Sequence, residues 1–268
     1  MNWNLTESHW HPFKWNIKQR LCCLIGARMI FELIEDIAKL TLIVACLYFI
    51  LGAYVRHNQP KWIDPMDKRR LTILFVLVLA ASAVKVSEDV FGGESGPIDS
   101  ALLIFIHRHV PNALNWLFEA VTLTGSLRFL FPLAALTTII LLYTKHRLEA
   151  LIVAASAISS IIVIYVIKTI VSRDRPMLWD TELYWGSSFP SGHTLAVAAF
   201  ATAVVLCVSR IRPASRNFAL AIAMLWIFLV AISRLVLGVH WPTDVLVAAC
   251  IGAFMPLALS VVLELRDT

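Results

Sequence analysis

The sequence predicts an all-α protein that crosses a membrane several times. Of its 268 residues, 59% are hydrophobic and 15% are charged, and the mean hydropathy is +0.76. Soluble domains average roughly 45–50% apolar and about 25% charged residues. The apolar runs lack the alternation of barrel strands, and an open sheet would leave backbone groups unpaired in lipid. The predicted fold is therefore a multi-pass transmembrane helical bundle.

Seven apolar runs are long enough to cross a bilayer, which takes about 20 helical residues. They lie near 37–55, 71–90, 128–144, 148–170, 193–209, 217–235 and 243–264. The preceding stretch 21–36 mixes charged and apolar side chains, so we interpret it as an interfacial helix. Residues 91–127 are polar and glycine-rich, and their apolar positions predict short amphipathic helices divided at Pro111.

Lysine and arginine residues in the short loops predict the orientation of the bundle. Three basic loops fall on one side of the seven proposed spans, which we expect to be cytoplasmic: 56–70, 145–147 and 210–216. The segments expected to face outward are 91–127, 171–192 and 236–242. A true span at 37–55 would also place the basic N-terminus outside. Re-entry of that run, a further crossing over 21–36 and an external N-terminus all stay open.

Charge, cysteine and histidine usage exclude several classes of function. The net charge of +5 suits an anionic lipid surface, and no basic patch interleaved with aromatic residues predicts nucleic-acid binding. The cysteines show no disulfide or zinc spacing, and no histidine cluster has metal-ligand spacing, so we expect no metal and no cofactor. Cysteines in apolar runs are interpreted as small buried hydrophobes, while lipidation remains an alternative for Cys22 and Cys23. The histidines interpreted as surface residues are His57, His107, His109 and His146.

Three stretches place ionisable residues at helix ends on the same predicted face. They read "KTIVSRDRP" at 168–176, "PSGH" at 190–193 and "SRLVLGVHWPTD" at 233–244. Lys168 and Arg175 are seven residues apart, which in a helix places them on one side, about 10 Å apart along the axis. Pro176 biases Arg175 out of the helical region, so Arg175 can swing over a pocket.

The cations of these stretches need anionic partners, because a charge at the bilayer centre costs about 2.5–3.5 kcal/mol. Asp174 and Asp244 are candidate partners, but two carboxylates do not neutralise Lys168, Arg175 and Arg234 together with Arg173. A bound phosphate group would. We interpret Arg173 itself as a headgroup anchor that snorkels to the membrane surface.

The "PSGH" stretch opens a long apolar helix. The first backbone N–H groups of a helix lack internal partners and attract anions, and Gly192 lets a ligand approach the backbone closely. Ser191 can cap the helix, donate to a phosphate oxygen, or do both. His193 falls in the first turn, within reach of the bound group. Taken alone, the stretch fits an ordinary N-cap with an incidental histidine equally well.

The third stretch pairs a histidine with a carboxylate. Pro242 suits the first position of a helix, so His240 lies just before it and Asp244 in its first turn. A carboxylate bonded to one ring nitrogen fixes the tautomer and raises the basicity of the other nitrogen. The alternative is that Asp244 only stabilises the helix N-terminus.

Together the three stretches resemble the type 2 phosphatidic acid phosphatase superfamily of membrane lipid phosphatases, which shares its core with vanadium haloperoxidases. The family pattern is Lys, six residues, Arg-Pro; then Pro-Ser-Gly-His; then Ser-Arg, five residues, His, three residues, Asp. This chain matches every defining position. The resemblance implies a six-helix phosphatase core, so we predict a catalytic domain over 71–264 and an N-terminal extension over 1–70.

The resemblance also implies roles for individual residues. His240 would attack phosphorus and form a phosphohistidine, and Asp244 would orient and polarise it. His193 would protonate the leaving oxygen and then activate water. The residues implied to bind the phosphate are Lys168, Arg175, Ser191, Gly192 and Arg234.

The activity implied is hydrolysis of a lipid phosphate monoester or pyrophosphate at the extracytoplasmic face, in a bacterial inner membrane, without a metal. Candidate substrates are phosphatidate, phosphatidylglycerophosphate, diacylglycerol pyrophosphate and undecaprenyl pyrophosphate, and the motifs do not choose among them. A lipid phosphotransferase that uses the same histidine remains an alternative. A non-catalytic scaffold or transporter is disfavoured because both histidines are present. Partners beyond the substrate and membrane lipids, and the oligomeric state, stay open.

Overall fold

The protein is mainly helical in the part that a computed structural model describes, residues 17–178 and 186–266. The helices are α1 (Ile17–Asn58), α2 (Ile63–Lys68), α3 (Arg70–Phe91), α4 (Gly96–His109), α5 (Asn115–Leu123), α6 (Leu127–Tyr143), α7 (Arg147–Ile170), α8 (Gly192–Ile211), α9 (Arg216–Val236) and α10 (Pro242–Arg266). No strand occurs in these residues. The predicted all-α class is confirmed.

Seven segments of the described chain are long and apolar enough to cross a membrane. They are Ile34–Asn58, Arg70–Phe91, Asn112–Tyr143, Arg147–Ile170, Gly192–Ile211, Pro213–Val236 and Pro242–Arg266. The third takes in both α5 and α6. Each contains one of the apolar runs identified in the sequence, so the chain is a multi-pass integral membrane protein.

The chain divides into two compact units, residues 1–42 and 43–268. In the first, the described residues belong to α1. The separate interfacial helix expected over 21–36 is wrong as a separate element, because α1 continues without a break to Asn58. No glycine or proline lies between Gly26 and Gly52 to end the helix. The domain boundary at residue 70 stays a prediction.

The core of the second unit surrounds α8, which packs against α7, α9 and α10. It meets α10 closely at Gly252. A Cβ on that glycine would lie 2.5 Å from the Leu195 carbonyl oxygen and 2.7 Å from Ala198 Cβ. Small residues permit such close helix approach in membranes. The contact holds the starts of α8 and α10 side by side.

Polar side chains gather at both ends of this helical bundle. The ends of α7 and α9 and the starts of α8 and α10 share one end of the second unit. At the opposite end, Glu264 binds Arg69 with an Nε–Oε2 distance of 2.9 Å, and Arg210 also donates to Glu264. Cys207, near the end of α8, donates to the Glu149 carbonyl near the start of α7. The basic loops therefore cluster away from the three motif stretches, and which side of the membrane each end faces stays a prediction.

The polar segment 91–127 forms α4 and α5 on either side of Pro111, as predicted. The surface interpretation of His57, His107 and His109 is confirmed, and the His146 side chain is 40% exposed.

The cysteines divide by their surroundings. Cys207 and Cys250 are buried as expected, but Cys46 is exposed, because a helix face that meets lipid needs no protein cover. The side chains of Cys22 and Cys23 lie outside the described residues.

Candidate active site

In the first motif stretch, residues 168–176, helix α7 ends earlier than the spacing of Lys168 and Arg175 suggested. α7 ends at Ile170, and residues 171–177 form no regular structure. The helical relation expected between Lys168 and Arg175 is therefore wrong, yet the two side chains converge. Lys168 Nζ donates to the Ser187 carbonyl oxygen, and Arg175 Nη2 lies 3.4 Å from the same oxygen.

Arg175 reaches the third motif stretch as well. Its Nη1 donates to the Val239 carbonyl oxygen at 2.8 Å and lies 3.5 Å from His240 Nε2. The guanidinium thus lies beside the ring nitrogen that points away from Asp244. An anion bound at this nitrogen would meet the Arg175 charge at once.

His240 and Asp244 are both buried, with 2% and 0% of their surfaces exposed. His240 Nδ1 faces Asp244 Oδ2 at 3.5 Å, which is longer than a normal hydrogen bond. Among the described residues, no other polar atom bonds to this nitrogen. Burial lowers the pKa of His240 to about 4, against the opposing effect of Asp244. The ring is therefore neutral at neutral pH, and the tautomer with its proton on Nδ1, toward Asp244, would leave a lone pair on Nε2.

Asp244 also stabilises the start of α10. Its Oδ2 accepts a hydrogen bond of 2.9 Å from the backbone N–H of Trp241, the residue just before the helix. The alternative interpretation of Asp244, as a group that stabilises the helix N-terminus, is thus seen in the structure. The same oxygen faces the histidine ring, and a bond to that ring stays a prediction.

Arg234 lies at the end of α9 and is 1% exposed. Its Nη1 donates to Thr122 Oγ1 at 2.7 Å, and its carbonyl oxygen accepts from the Val239 N–H. Thr122 comes from α5, at the start of the third candidate membrane segment. Thr122 was not identified from the sequence, because a lone threonine in an amphipathic helix carries no signal of its partner.

The start of α8 joins the same cluster. Ser191 is fully buried, and its backbone N–H donates to the Asp244 carbonyl oxygen at 3.2 Å. Its hydroxyl lies 3.1 Å from Thr194 Oγ1. Its side chain accepts no backbone hydrogen bond from α8, so the structure does not show the capping role, one of the two that the sequence left open. A Cβ on Gly192 would lie 4.0 Å from Lys168 Cε.

His193 occupies the first turn of α8 and is partly buried. It lies within Coulombic range of four other predicted site residues: Lys168, Arg175, Arg234 and His240. A Cβ on Gly125, in the turn after α5, would lie 3.3 Å from His193 Cβ. The structure therefore brings both histidines and all three predicted cations to one end of the bundle.

Arg173 contradicts its interpretation as a headgroup anchor. Only 16% of its side chain is exposed, and its guanidinium joins two carboxylates. Nη1 donates to Asp244 Oδ1, and Nη2 donates to Asp99 Oδ2 at 2.7 Å. The guanidinium carbon also lies 5.8 Å from the centre of the Trp241 ring.

Asp99, in the first turn of α4, is a carboxylate that was not identified from the sequence. It is fully buried. Its Oδ1 accepts from the Thr243 N–H at 3.0 Å, and its Oδ2 accepts from Thr243 Oγ1 at 2.6 Å. Asp174, the partner proposed from the sequence, is exposed and offers its backbone carbonyl to Trp241 Nε1. An acidic residue in the first turn of an amphipathic helix is a common surface feature, so no local pattern singles out Asp99.

The described residues contain no group of three or more His, Cys, Asp or Glu side chains placed to hold a metal ion. The positive charge of this end comes instead from Lys168, Arg175 and Arg234.

The fold and the site together define a class of protein. It is a multi-pass helical membrane protein with a buried cluster of cations and histidines at one end. Residues 149–266 match the model of the PAP2 superfamily. All eight predicted site residues lie inside that segment. This match confirms, over that segment, the resemblance seen in the three motifs.

Two curated relatives are similar in sequence. Phosphatidylglycerophosphatase B of Escherichia coli K12 is 42% identical over 74 residues, which cover 28% of this chain and 27% of that protein. The chain thus aligns with about a quarter of that relative's length. The putative undecaprenyl-diphosphatase YbjG of the same organism is 28% identical over 142 residues, covering 51% of this chain and 68% of the relative.

Two crystal structures share the fold. A transmembrane PAP2-type phosphatidylglycerolphosphate phosphatase from Bacillus subtilis superposes with a TM-score of 0.61 at 23% identity, covering 72% of this chain and 96% of that chain. LpxE of Aquifex aeolicus gives a TM-score of 0.50 at 24% identity, covering 60% of this chain and 93% of that chain.

Proposed function

We propose that this protein is an integral-membrane lipid phosphatase that hydrolyses a lipid phosphate monoester or pyrophosphate through a phosphohistidine on His240. The observation that carries the proposal is the placement of the His240 ring. Its Nδ1 faces Asp244 and its Nε2 faces the Arg175 guanidinium. A nucleophile therefore points into a positively charged site while a carboxylate holds its other side.

The first step is attack of the Nε2 lone pair on phosphorus. A P–N bond forms, the P–O bond to the lipid breaks, and His193 gives its proton to the departing oxygen. Asp244 stabilises the positive charge that develops on the ring. Because burial keeps His240 neutral near pH 7, the nucleophile is available without prior loss of a proton.

The second step returns the enzyme to its starting state. His193, now neutral, takes a proton from water as the water oxygen attacks phosphorus. The P–N bond breaks and orthophosphate leaves. One histidine thus acts as acid and then as base, which is possible because the two half-reactions mirror one another.

Phosphate binding falls to Lys168, Arg175, Arg234, the Ser191 hydroxyl and the Gly192 amide. Phosphoryl transfer depends mainly on positioning and on stabilising charge at the equatorial oxygens. Three cations and a helix N-terminus supply that stabilisation. The proposed mechanism therefore needs no metal, and we expect turnover to persist when divalent cations are chelated.

A lipid substrate is supported by the membrane-spanning fold and by the names of the relatives. Its acyl or isoprenoid tail would stay in the bilayer while the headgroup enters the charged end. The basic loops at the opposite end of the second unit support a cytoplasmic position for that end. We therefore propose an extracytoplasmic site in a bacterial inner membrane.

The test is a phosphate-release assay on the purified full-length protein in detergent. The panel holds phosphatidate, phosphatidylglycerophosphate and undecaprenyl pyrophosphate, each with radiolabelled phosphorus. We expect the wild-type protein to release orthophosphate from at least one lipid and to carry label on His240 during turnover. His240→Ala should lose both signals, because no other group supplies the P–N bond.

His109→Ala serves as the matched control, since His109 is an exposed histidine whose Nδ1 lies 2.8 Å from the carbonyl oxygen of its own helix neighbour Phe105. It should keep full activity. Undiminished release by a folded His240→Ala protein would contradict the mechanism. Transfer of the label to a lipid or sugar acceptor, in place of free orthophosphate, would overturn hydrolysis in favour of phosphotransfer.

A further inference from the structure

Two residues outside the family motifs surround the His240–Asp244 pair. We propose that Arg173 and Asp99 are positioning residues that hold Asp244, and through it His240, in the geometry for attack on phosphorus. This inference rests on the proposed function, since it assigns the residues to the same reaction. Neither residue would touch the substrate.

The Asp244 carboxylate is held on both oxygens. Oδ1 accepts from Arg173, and Oδ2 accepts from the Trp241 N–H at 2.9 Å while it faces His240 Nδ1. A carboxylate held on one oxygen can rotate about its Cβ–Cγ bond. With Arg173 on the other oxygen that rotation is blocked, so Oδ2 stays directed at the ring.

Arg173 is itself fixed by Asp99. The two oxygens of Asp99 accept from the backbone and the hydroxyl of Thr243, the residue just before Asp244. A closed ring of contacts results, from Asp99 through Thr243 and Asp244 to Arg173 and back. Both carboxylates are fully buried, so this network excludes water that would otherwise compete for them.

The guanidinium uses its planar fork to reach both carboxylates. Nη1 contacts Thr243 Oγ1 at 2.9 Å as well as Asp244, and Nη2 contacts Asp99. Its donors are thus directed at protein oxygens, whereas Arg175 lies beside His240 Nε2. A lysine has the same charge but lacks the fork, so it cannot reproduce both contacts in this geometry.

Asp99 extends the network to a different part of the chain. It is carried by α4, in the polar segment between two spans, 74 residues before Arg173. Its bond to the Thr243 N–H also satisfies one of the free amides at the start of α10. The segment that joins two spans thereby stabilises the helix that carries Asp244.

The experiment measures steady-state kinetics of the full chain in detergent with the best lipid substrate of the panel. The variants are Arg173→Lys, Asp99→Asn and the double variant. Rates are normalised to folded, monodisperse protein. We expect Arg173→Lys to lower kcat roughly 10- to 100-fold, the effect of losing a charge-assisted hydrogen bond that orients a catalytic group.

If Arg173 only positions Asp244, its substitution should lower kcat without weakening phosphate binding. For Arg173→Lys, KM and the inhibition constant of orthophosphate should stay within about two-fold of wild type, because uniform binding is untouched. For Arg175→Lys, orthophosphate inhibition should weaken. Weakened orthophosphate inhibition in Arg173→Lys with unchanged kcat would overturn the proposal, since it would make Arg173 a phosphate ligand.

The double variant tests whether Asp99 acts through Arg173. Asp99→Asn keeps the size of the side chain and an oxygen that can accept from Thr243, so we expect this variant to fold. It therefore keeps the proposal testable even if the Arg173→Lys protein does not fold. Alone it should lower kcat by roughly three- to ten-fold, and in the Arg173→Lys background it should add almost nothing. Multiplicative losses, or full kcat in Asp99→Asn, would refute the coupling.

Lys85→Gln is the matched control, because it breaks a partly buried ion pair with Asp89 that lies outside this network. Its kcat should equal that of wild type. If the wild-type protein releases no phosphate from any lipid, the proposed function fails. If wild type is active, His240→Ala is inactive and the Arg173 and Asp99 variants keep full kcat, this inference alone fails.

Discussion

The two ends of α10 carry the same chemistry in different surroundings. Asp244 in its first turn binds Arg173, and Glu264 in its last turns binds Arg69 and Arg210. The Asp244 side chain is 0% exposed, whereas that of Glu264 is 25% exposed. Arg69, one of the partners of Glu264, keeps 50% of its side chain exposed.

This difference in exposure distinguishes charges that link helices near the surface, as at Glu264, from charges buried in the candidate site, as at Asp244. Ion pairs near the surface are screened and typically contribute about 0–1 kcal/mol. Buried ion pairs carry a large desolvation penalty, which only a fully satisfied network offsets. The network around Asp244 is an inefficient means of stabilising a fold, which supports the positioning role proposed for Arg173 and Asp99. The Glu264 cluster needs no such explanation.

The sharpest way to break the comparison is to remove one arginine at each end. We expect Arg175→Met to lower phosphate release by roughly 10²- to 10³-fold, the loss typical of removing one donor that stabilises transition-state charge. The measurement is kcat/KM on a lipid phosphate, with thermal unfolding recorded in the same detergent. Arg210→Met is the matched control and should keep its activity. Equal losses in both variants would show that the two ends do not differ in function.

A second test uses pH to examine burial at the Asp244 end. Burial lowers the pKa of His240 to about 4 in the folded protein, from the 6.5 of an unburied ring. The folded state thus disfavours protonation. The free energy of unfolding that depends on the neutral ring is fully present above pH 6.5. It decreases as the pH falls from 6.5 through 4, by on the order of 3 kcal/mol in total.

The measurement compares the free energy of unfolding of wild type and His240→Gln at pH 7 and at pH 4. The glutamine variant cannot be protonated, so it should lose less stability on acidification than wild type. The two proteins losing the same amount would argue that His240 is not held neutral by its surroundings.

The smallest expected effect lies at the other end of α10. Glu264→Gln removes a charge that two arginines share, and we expect the free energy of unfolding to fall by about 0–1 kcal/mol. Activity should not change, and raising the salt concentration should reduce the difference from wild type. A large loss of phosphate release in this variant would show that the far end of the helix is coupled to the site.

Local patterns in the sequence predicted most of the fold and much of the cluster. Long apolar runs identified the seven membrane segments, because lipid imposes a length and a composition on any helix that crosses it. Pro242 marked the start of α10, with His240 just before the helix and Asp244 in its first turn. These features can be predicted from the sequence because they depend only on residues that are neighbours in the chain.

Contacts between distant segments could not be predicted in this way. Arg173 was interpreted as a headgroup anchor because its partners lie 71 and 74 residues away. Asp99 had the ordinary signature of an exposed helix start. Each miss concerns which distant group a polar side chain meets after packing.

The glycine at the crossing of α8 and α10 influences more than packing. Gly252 lies about two turns along the helix from Asp244. A single methyl group at this point would wedge the two helices apart. Since one helix begins with His193 and the other follows His240, the wedge would widen the gap between the rings. The distance between His193 and His240, the proposed acid and the proposed nucleophile, thus depends on the absence of a side chain at Gly252.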